Sequence, residues 1–467
     1  MKLLFLQPTY YHDAECKDVY SLVPPISLAA MASIAQKRGH LCQILDIMGR
    51  DTLLNKAVNT FSPDIICVTS FTTNYRDAVM LIKRLRKEYN FDGKIIYGGV
   101  HVTLEPEKSV NQCGADILVV GEGEETFEEL LDAIENNKDL TQVPGLCLPG
   151  HGRTAPRRYL KGLDELPRPA YELLESGKNS PYSTSVIFVE VHRGCPYTCS
   201  YCSSKYLYGS TLRARSPQKV SEDIRYLKEN LGMKEWEPVS DTFVFNLVWL
   251  KEFAELVGPL GMRHRANGKF NVMKEETLDY LKQSGCYQVD YGVESAVPKV
   301  LKNIDKFTDM KVAEEVIKMT ADKGFDVHLY FMLSLPGETY DDMMTTLDFA
   351  KRMKQAYGAS TEFQITRIYP DTPLKTMWAQ EVEDWTEIRH PNLPYPSIPA
   401  YYELDPDRVF ETWKQACAEI KSRTTLEHLK KTIPEMYRSA RSPQQFVYQF
   451  SKRATRKALQ WIETRLA

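Results

Sequence analysis

Cys195, Cys199 and Cys202 form a C-x3-C-x2-C triad directly after the apolar run Val186-Ile187-Phe188-Val189. Three soft thiolates on one short loop can hold three irons of a cubane iron–sulfur cluster and leave the fourth iron open to a non-protein ligand. Electron-transfer clusters usually take a fourth cysteine, and structural zinc sites usually take four ligands in paired spacings. The competing reading is a Cys3His zinc site through His192; the compressed loop and the lack of a second ligand pair weigh against it. The triad is therefore expected to ligate a 4Fe-4S cluster whose open corner does chemistry.

A site of this kind needs a scaffold that presents it at a strand end. From Met1 to about Asn136 apolar runs alternate with helical patterns: Lys2–Leu6, Ile26–Lys37, Cys42–Asp46, Ile65–Ser70, Ala78–Tyr89, Lys94–Tyr97, Ile117–Val120 and Thr126–Glu135. That rhythm predicts an α/β fold with a doubly wound, parallel, Rossmann-like sheet, whose ligands sit beyond the carboxyl ends of the strands. Residues 145–180 are rich in Gly, Pro and Arg and read as an inter-domain crossing. Strand patterns return at Pro238–Phe243, His264–Phe270, Gln288–Glu294, Val327–Ser334 and Thr361–Ile368; with the strand before Cys195 they make six. The expected domains are 1–144, the crossing 145–180, a partial barrel 181–385 and a mostly helical, basic segment 386–467.

Length and composition agree with this division. A chain of 467 residues is too long for one ordinary core, and 43% hydrophobic residues suffice for two or three. A net charge of −3 points to neither nucleic acid nor an acidic tail, and no run of about 18 apolar residues is present. Ten cysteines with three clustered suggest a reduced compartment rather than a disulfide framework. A cytoplasmic protein is expected.

With Pro196 after the first cysteine and Tyr201 before the last, the triad resembles that of the radical S-adenosylmethionine enzymes. The resemblance implies a partial six-stranded barrel and S-adenosylmethionine chelated to the open iron, where it is cleaved to a 5′-deoxyadenosyl radical. It also implies cofactor contacts from Tyr201, from Asp241 at the second strand end, and from Glu294 and Ser295 in Gly292-Val293-Glu294-Ser295. Arg367 stands in the region that resembles the family's proline turn, with a simple salt bridge as its alternative. Leu335-Pro336-Gly337-Glu338-Thr339 matches a family turn, with Ser334 where glycine is usual and with Thr339 or Glu338 at a helix start.

The N-terminal third resembles the cobalamin-binding domain of the B12-dependent members. The residues that carry this are Pro24 and Pro25, the pair Gly98 and Gly99, the turn Gly121-Glu122-Gly123-Glu124, and the hydroxyls Ser70 and Thr72. Cobalamin contacts are thereby implied for Ser70, Thr72, Gly98, Gly99, Gly121, Glu122 and Gly123. Asp-x-His-x-x-Gly is absent, so cobalt would lack a histidine lower ligand, and Thr72 stands where leucine is common. A domain that kept the fold and lost the cofactor is the alternative.

The implied activity is methylation of an unactivated carbon. The alternatives are a cobalamin-dependent cyclase or oxidoreductase, a radical enzyme without cobalamin, and a non-enzymatic cluster protein. The absence of a second cysteine triad argues against a methylthiotransferase. Expected partners are a small-molecule or lipid-like substrate and an electron donor such as a flavodoxin or ferredoxin, with nucleic acid disfavoured. From Lys421 to Ala467 the chain carries 11 Lys or Arg against 3 Asp or Glu, while the preceding part has a net charge of −11. Phe446, Phe450, Ala454, Ala458 and Ile462 recur every four residues there. The pattern predicts a basic amphipathic helix, either packed on the barrel or in peripheral contact with the cytoplasmic membrane face.

Overall fold

Leu3, Leu4, Phe5 and Leu6 are all wholly buried, as a parallel strand covered by helices on both faces requires. A computed structural model describes residues 1–8, 24–47, 50–174, 186–378, 398–399 and 404–421. Its first sheet contains β1 (Lys2–Gln7), β2 (Leu41–Asp46), β3 (Ile65–Ser70), β4 (Lys94–Gly99), β5 (Ile117–Val119), β6 (Leu146–Leu148) and β7 (Gly152–Arg153). The spatial order is β2-β1-β3-β4-β5-β6-β7, with β1 to β5 parallel and β6 and β7 antiparallel. The strand order reverses direction between β1 and β3, which opens a ligand crevice beyond their carboxyl ends.

Strands β6 and β7 lie inside the stretch read from sequence as a crossing. The run Leu146-Cys147-Leu148 is too short for periodicity to reveal, yet all three side chains are buried. Past them the chain ties the two halves together: the Ala170 N–H donates to Ala29 O at 2.9 Å, and the Tyr171 hydroxyl reaches Asp223 at 3.4 Å. One hydrophobic core runs from Leu3 and Phe127 through Tyr171 to Ile187 and Trp236.

The second sheet contains β8 (Val186–Glu190), β11 (Glu235–Val239), β12 (Arg263–Gly268), β13 (Cys286–Glu294), β14 (Asp326–Leu333) and β15 (Ser360–Ile365). They pair in chain order, all parallel, as a partial barrel. A two-stranded antiparallel ribbon, β9 (His192–Arg193) with β10 (Arg213–Ala214), follows β8. The helices between strands start where sequence signals say they should. Ser216 caps Pro217–Leu231, whose end is stopped by left-handed Gly232, and Thr339 with Asp342 forms a capping box on Tyr340–Tyr357.

The second barrel strand corrects the expectation Pro238–Phe243. It begins at Glu235 and ends at Val239, so Asp241 lies past its end. The alternation Glu235-Trp236-Glu237 is a half-polar strand: Trp236 is wholly buried, whereas Glu235 and Glu237 pair with Arg263 and Arg265 of the next strand. Paired charges disguised its hydrophobic period.

Candidate active site

The ribbon holds the base of the cysteine loop. The Cys195 N–H donates to Gly209 O at 3.3 Å, the Ser200 N–H to Ile304 O at 3.0 Å and the Cys202 N–H to Cys199 O at 3.1 Å. All three cysteines are partly buried free thiols. Burial pushes Cys195 and Cys202 up, while the Lys269 ammonium acts against this at Cys195. Lys269 itself sits 2.8 Å from the ring centroid of Tyr197, inside the loop. Among the described residues no three His, Cys, Asp or Glu side chains converge on one ion position. His192 is occupied elsewhere, with Nε2 2.6 Å from Thr242 O and the ring edge-on to Phe245.

Beside the loop lies a row of unsatisfied polar atoms. Ser204 Oγ donates to Asp241 Oδ1, whereas Asp241 Oδ2, Ser240 Oγ and Thr242 Oγ1 are buried without a hydrogen-bond partner among the described residues. Buried polar groups are normally satisfied. A ligand ammonium and hydroxyls fit this gap, which is what S-adenosylmethionine would present.

Glu294 ends β13 at a register irregularity, with φ +66°. The Tyr201 hydroxyl donates to Glu294 Oε1 at 3.0 Å, and Lys306 Nζ donates to the same oxygen at 2.7 Å. No sequence signal pointed to Lys306. Ser334, standing where the resembled turn has glycine, is wholly buried at φ +66°, a conformation that explains the usual glycine. Two non-glycine residues at φ above zero, at successive strand ends, mark strain of the kind found at functional sites.

Two expected S-adenosylmethionine contacts have protein neighbours in this structure. Ser295 is wholly buried, accepts the Val297 N–H at 3.2 Å and meets Thr346 Oγ1 at 3.2 Å, so its hydroxyl holds the turn rather than facing a ligand. Arg367 stands near Glu362, whose carboxyl is held low by the neighbouring His328 and more weakly by Arg367.

At the crevice of the first sheet, Ser70 Oγ meets Tyr97 OH at 2.6 Å and Thr72 Oγ1 meets His101 Nδ1 at 3.2 Å. Gly99 has φ +111°, and a Cβ there would press Ser70 O at 2.5 Å and Thr69 Oγ1 at 2.7 Å. Gly98 faces Val119, and Gly123 faces Val119 and Met31. Thr103 Oγ1 joins the two glycine segments, donating to Gly99 O at 2.9 Å and accepting the Gly121 N–H at 3.1 Å. Above Gly121 no described residue lies within 4 Å of a built Cβ, which leaves bare backbone open to a large ligand. Glu122, expected at cobalamin, has protein partners: its carboxylate accepts the Leu160 N–H at 2.7 Å and pairs with Arg193 and Arg213.

Residues 16–131 match the B12 binding domain model, and residues 189–350 match the Radical SAM superfamily model. An uncharacterized methyltransferase of Pyrococcus horikoshii is 31% identical over 381 residues, covering 80% of this chain and 82% of that one. The chain belongs to the cobalamin-dependent radical S-adenosylmethionine family. The chain is also similar to cytidylyl-2-hydroxyethylphosphonate methyltransferase of Streptomyces wedmorensis, at 24% identity over 70% of this chain and 73% of that one. The fold is that of the radical S-adenosylmethionine methyltransferase TsrM of Kitasatospora setae, with TM-score 0.68 and 19% identity over 81% of this chain and 76% of that one. The cobalamin-dependent radical enzyme OxsB shares it too, with TM-score 0.67 and 14% identity over 96% of this chain and 70% of that one. The 4Fe-4S cluster, S-adenosylmethionine and cobalamin are this family's cofactors, and the cysteine loop, the Asp241 gap and the open Gly121 turn fit them.

Proposed function

We propose that this chain methylates an unactivated carbon of a small, polar molecule. The observation that carries the reading is the joining of two cofactor platforms, the cysteine loop and the Gly99–Gly121 crevice, in one continuous core. When bound, the cluster and S-adenosylmethionine supply a carbon radical and cobalamin supplies the methyl group. Cys195, Cys199 and Cys202 would ligate the cluster. Asp241 would accept the ammonium of S-adenosylmethionine, and Glu294, held by Tyr201 and Lys306, would accept its hydroxyls. Ser70, Thr72, Gly98, Gly99, Gly121 and Gly123 would form the cobalamin floor.

The concave face of the barrel supports a polar substrate over a lipid-like one. Arg265, Asp290, His328, Tyr330 and Glu362 lie within electrostatic reach of one another there. Gln288 Nε2 donates to Asp290 at 2.7 Å, and His328 Nε2 lies 3.8 Å from Glu362. Such a lining favours a ligand rich in donors and acceptors. No described helix is long and apolar enough to cross a membrane. The basic amphipathic helix expected near the end of the chain, from Phe446 to Ile462, lies outside the described residues. A flavodoxin or ferredoxin would supply the electrons.

Product mass with methyl-deuterated S-adenosylmethionine tests the proposal. Gain of a labelled methyl group supports it. A product that has lost hydrogens or closed a ring without label supports the cyclase reading, which is favoured by 25% identity to the anaerobic magnesium-protoporphyrin IX monomethyl ester cyclase of Rubrivivax gelatinosus over 75% of this chain and 66% of that one.

A further inference from the structure

Arg193 and Arg213 face each other across the ribbon that closes the base of the cysteine loop. Both reach out of the barrel to the same turn of the first domain. Arg193 Nη2 donates to Glu124 Oε1 at 2.5 Å, Arg193 Nη1 lies 3.3 Å from Glu122, and Arg213 Nη1 lies 2.8 Å from Glu122. The remaining arms bind the loop's own neighbourhood. Arg193 Nε meets Glu190 at 2.7 Å, and Arg213 donates to Tyr208 O at 2.8 Å. The side chains of Arg193, Glu122 and Glu124 are 8%, 2% and 9% exposed, so water does not compete for these bonds.

We infer that this double-arginine clamp fixes the cobalamin-side turn Gly121–Glu124 relative to the cluster loop, with Arg193 as a positioning residue. Apolar packing already glues the two halves and does so more cheaply than buried ions, which return little net stability for their desolvation. Planar guanidinium forks add direction: each arm fixes an angle as well as a distance. Arg193 is two residues before Cys195, and Glu122 directly follows Gly121, so the clamp is a short polar path between the two platforms. A misplacement of one reacting group by about 1 Å is enough to cost about 100-fold in rate. With both cofactors bound, the clamp would hold the spacing between them on which methyl transfer would depend more steeply than cleavage at the cluster, which would need only the cluster loop and the barrel. The inference rests on the reading of the Gly121 turn as a cobalamin contact.

The test compares full-length wild type with Arg193→Met and Glu124→Gln, reconstituted with cluster and cobalamin. Glu124→Gln keeps shape and cuts one link, so it remains informative if Arg193→Met, which takes the guanidinium away from Glu122, Glu124 and Glu190, does not fold. With dithionite as a low-potential reductant, two rates are read from S-adenosylmethionine without any substrate: transfer of labelled methyl to the reduced corrinoid, leaving S-adenosylhomocysteine, and reductive cleavage, which releases 5′-deoxyadenosine and methionine. The ratio of the first to the second is expected to fall about tenfold in Arg193→Met and less in Glu124→Gln. Arg193→Lys, which restores one charge, should recover part of it. Hydrogen exchange gives an independent readout. Added hydroxocobalamin should slow exchange in the peptide spanning residues 190–208 in wild type and not in the variants. Unchanged ratios and unchanged protection in both variants would overturn the clamp. Wild type that takes up no cobalamin would instead overturn the underlying reading.

Discussion

Lys306 Nζ lies 2.7 Å from Glu294 Oε1, and the Tyr201 hydroxyl donates to that same oxygen from 3.0 Å. Tyr201 belongs to the cysteine loop and Glu294 to the end of β13, so this one carboxylate oxygen ties the cluster loop to the barrel rim. The second carboxylate oxygen would be left to meet S-adenosylmethionine. Glu294→Gln should weaken S-adenosylmethionine binding by about 1.5–3 kcal/mol, the usual range for a hydrogen bond to a charged group. Anaerobic calorimetric titration measures it. Lys306→Met should lower stability by about 2 kcal/mol, read from the urea midpoint, because it strands a buried carboxylate.

Glycines 99 and 121 separate packing from ligand contact. Gly99→Ala forces a Cβ onto Ser70 O in a left-handed conformation and should destabilise the first domain by more than about 1 kcal/mol. Gly121→Ala, also at positive φ, puts its methyl where no described residue lies within 4 Å. It should cost only about 1 kcal/mol in strain and yet reduce cobalamin retention. Thermal unfolding and bound cobalamin, measured on both variants, distinguish the two effects; equal cobalamin retention in Gly121→Ala and wild type would remove that turn from the site.

Serine at Cys195, Cys199 or Cys202 should each abolish cluster assembly, since a three-thiolate site has no spare ligand. Cys67→Ser and Cys286→Ser should retain full iron content, because burial pushes those thiols up and keeps them inert. Iron and sulfide analysis after reconstitution checks all five.

Glu338 folds back onto its own turn, accepting the Leu335 N–H at 3.0 Å, and its Oε1 is buried without a partner. Burial pushes its carboxyl from the ordinary 4.5 up to about 8, against the pull of the backbone donors. The folded state therefore holds a proton that the unfolded state releases. This contribution to stability is full below pH 4.5 and is lost as pH rises through about 8. Glu338→Gln should flatten the decline, so urea unfolding at pH 6 and pH 9 should differ less in the variant than in wild type.

How much of this was legible in the sequence depended on the kind of signal. Ile26–Lys37 and Ile65–Ser70 have the bounds expected from their apolar patterns. Glu235-Trp236-Glu237 hid a strand because its outward charges are neutralised by arginines from the neighbouring strand, a relation absent from local sequence. Glu122 and Ser295 sit in motifs read as cofactor contacts, but motifs fix position along the chain and not the direction of a side chain. Lys306 and the Arg193 clamp arise from contacts 12 and about 70 residues apart in sequence, which no periodicity encodes.

The most direct test of the central claim is cobalamin bound per polypeptide, measured by anaerobic absorption spectroscopy after cluster reconstitution with excess cobalamin and desalting. The account predicts near-stoichiometric retention beside an intact cluster, lost in a variant that blocks the Gly121 turn. An intact cluster with no retained cobalamin would contradict it and leave a radical enzyme that does its chemistry without cobalt.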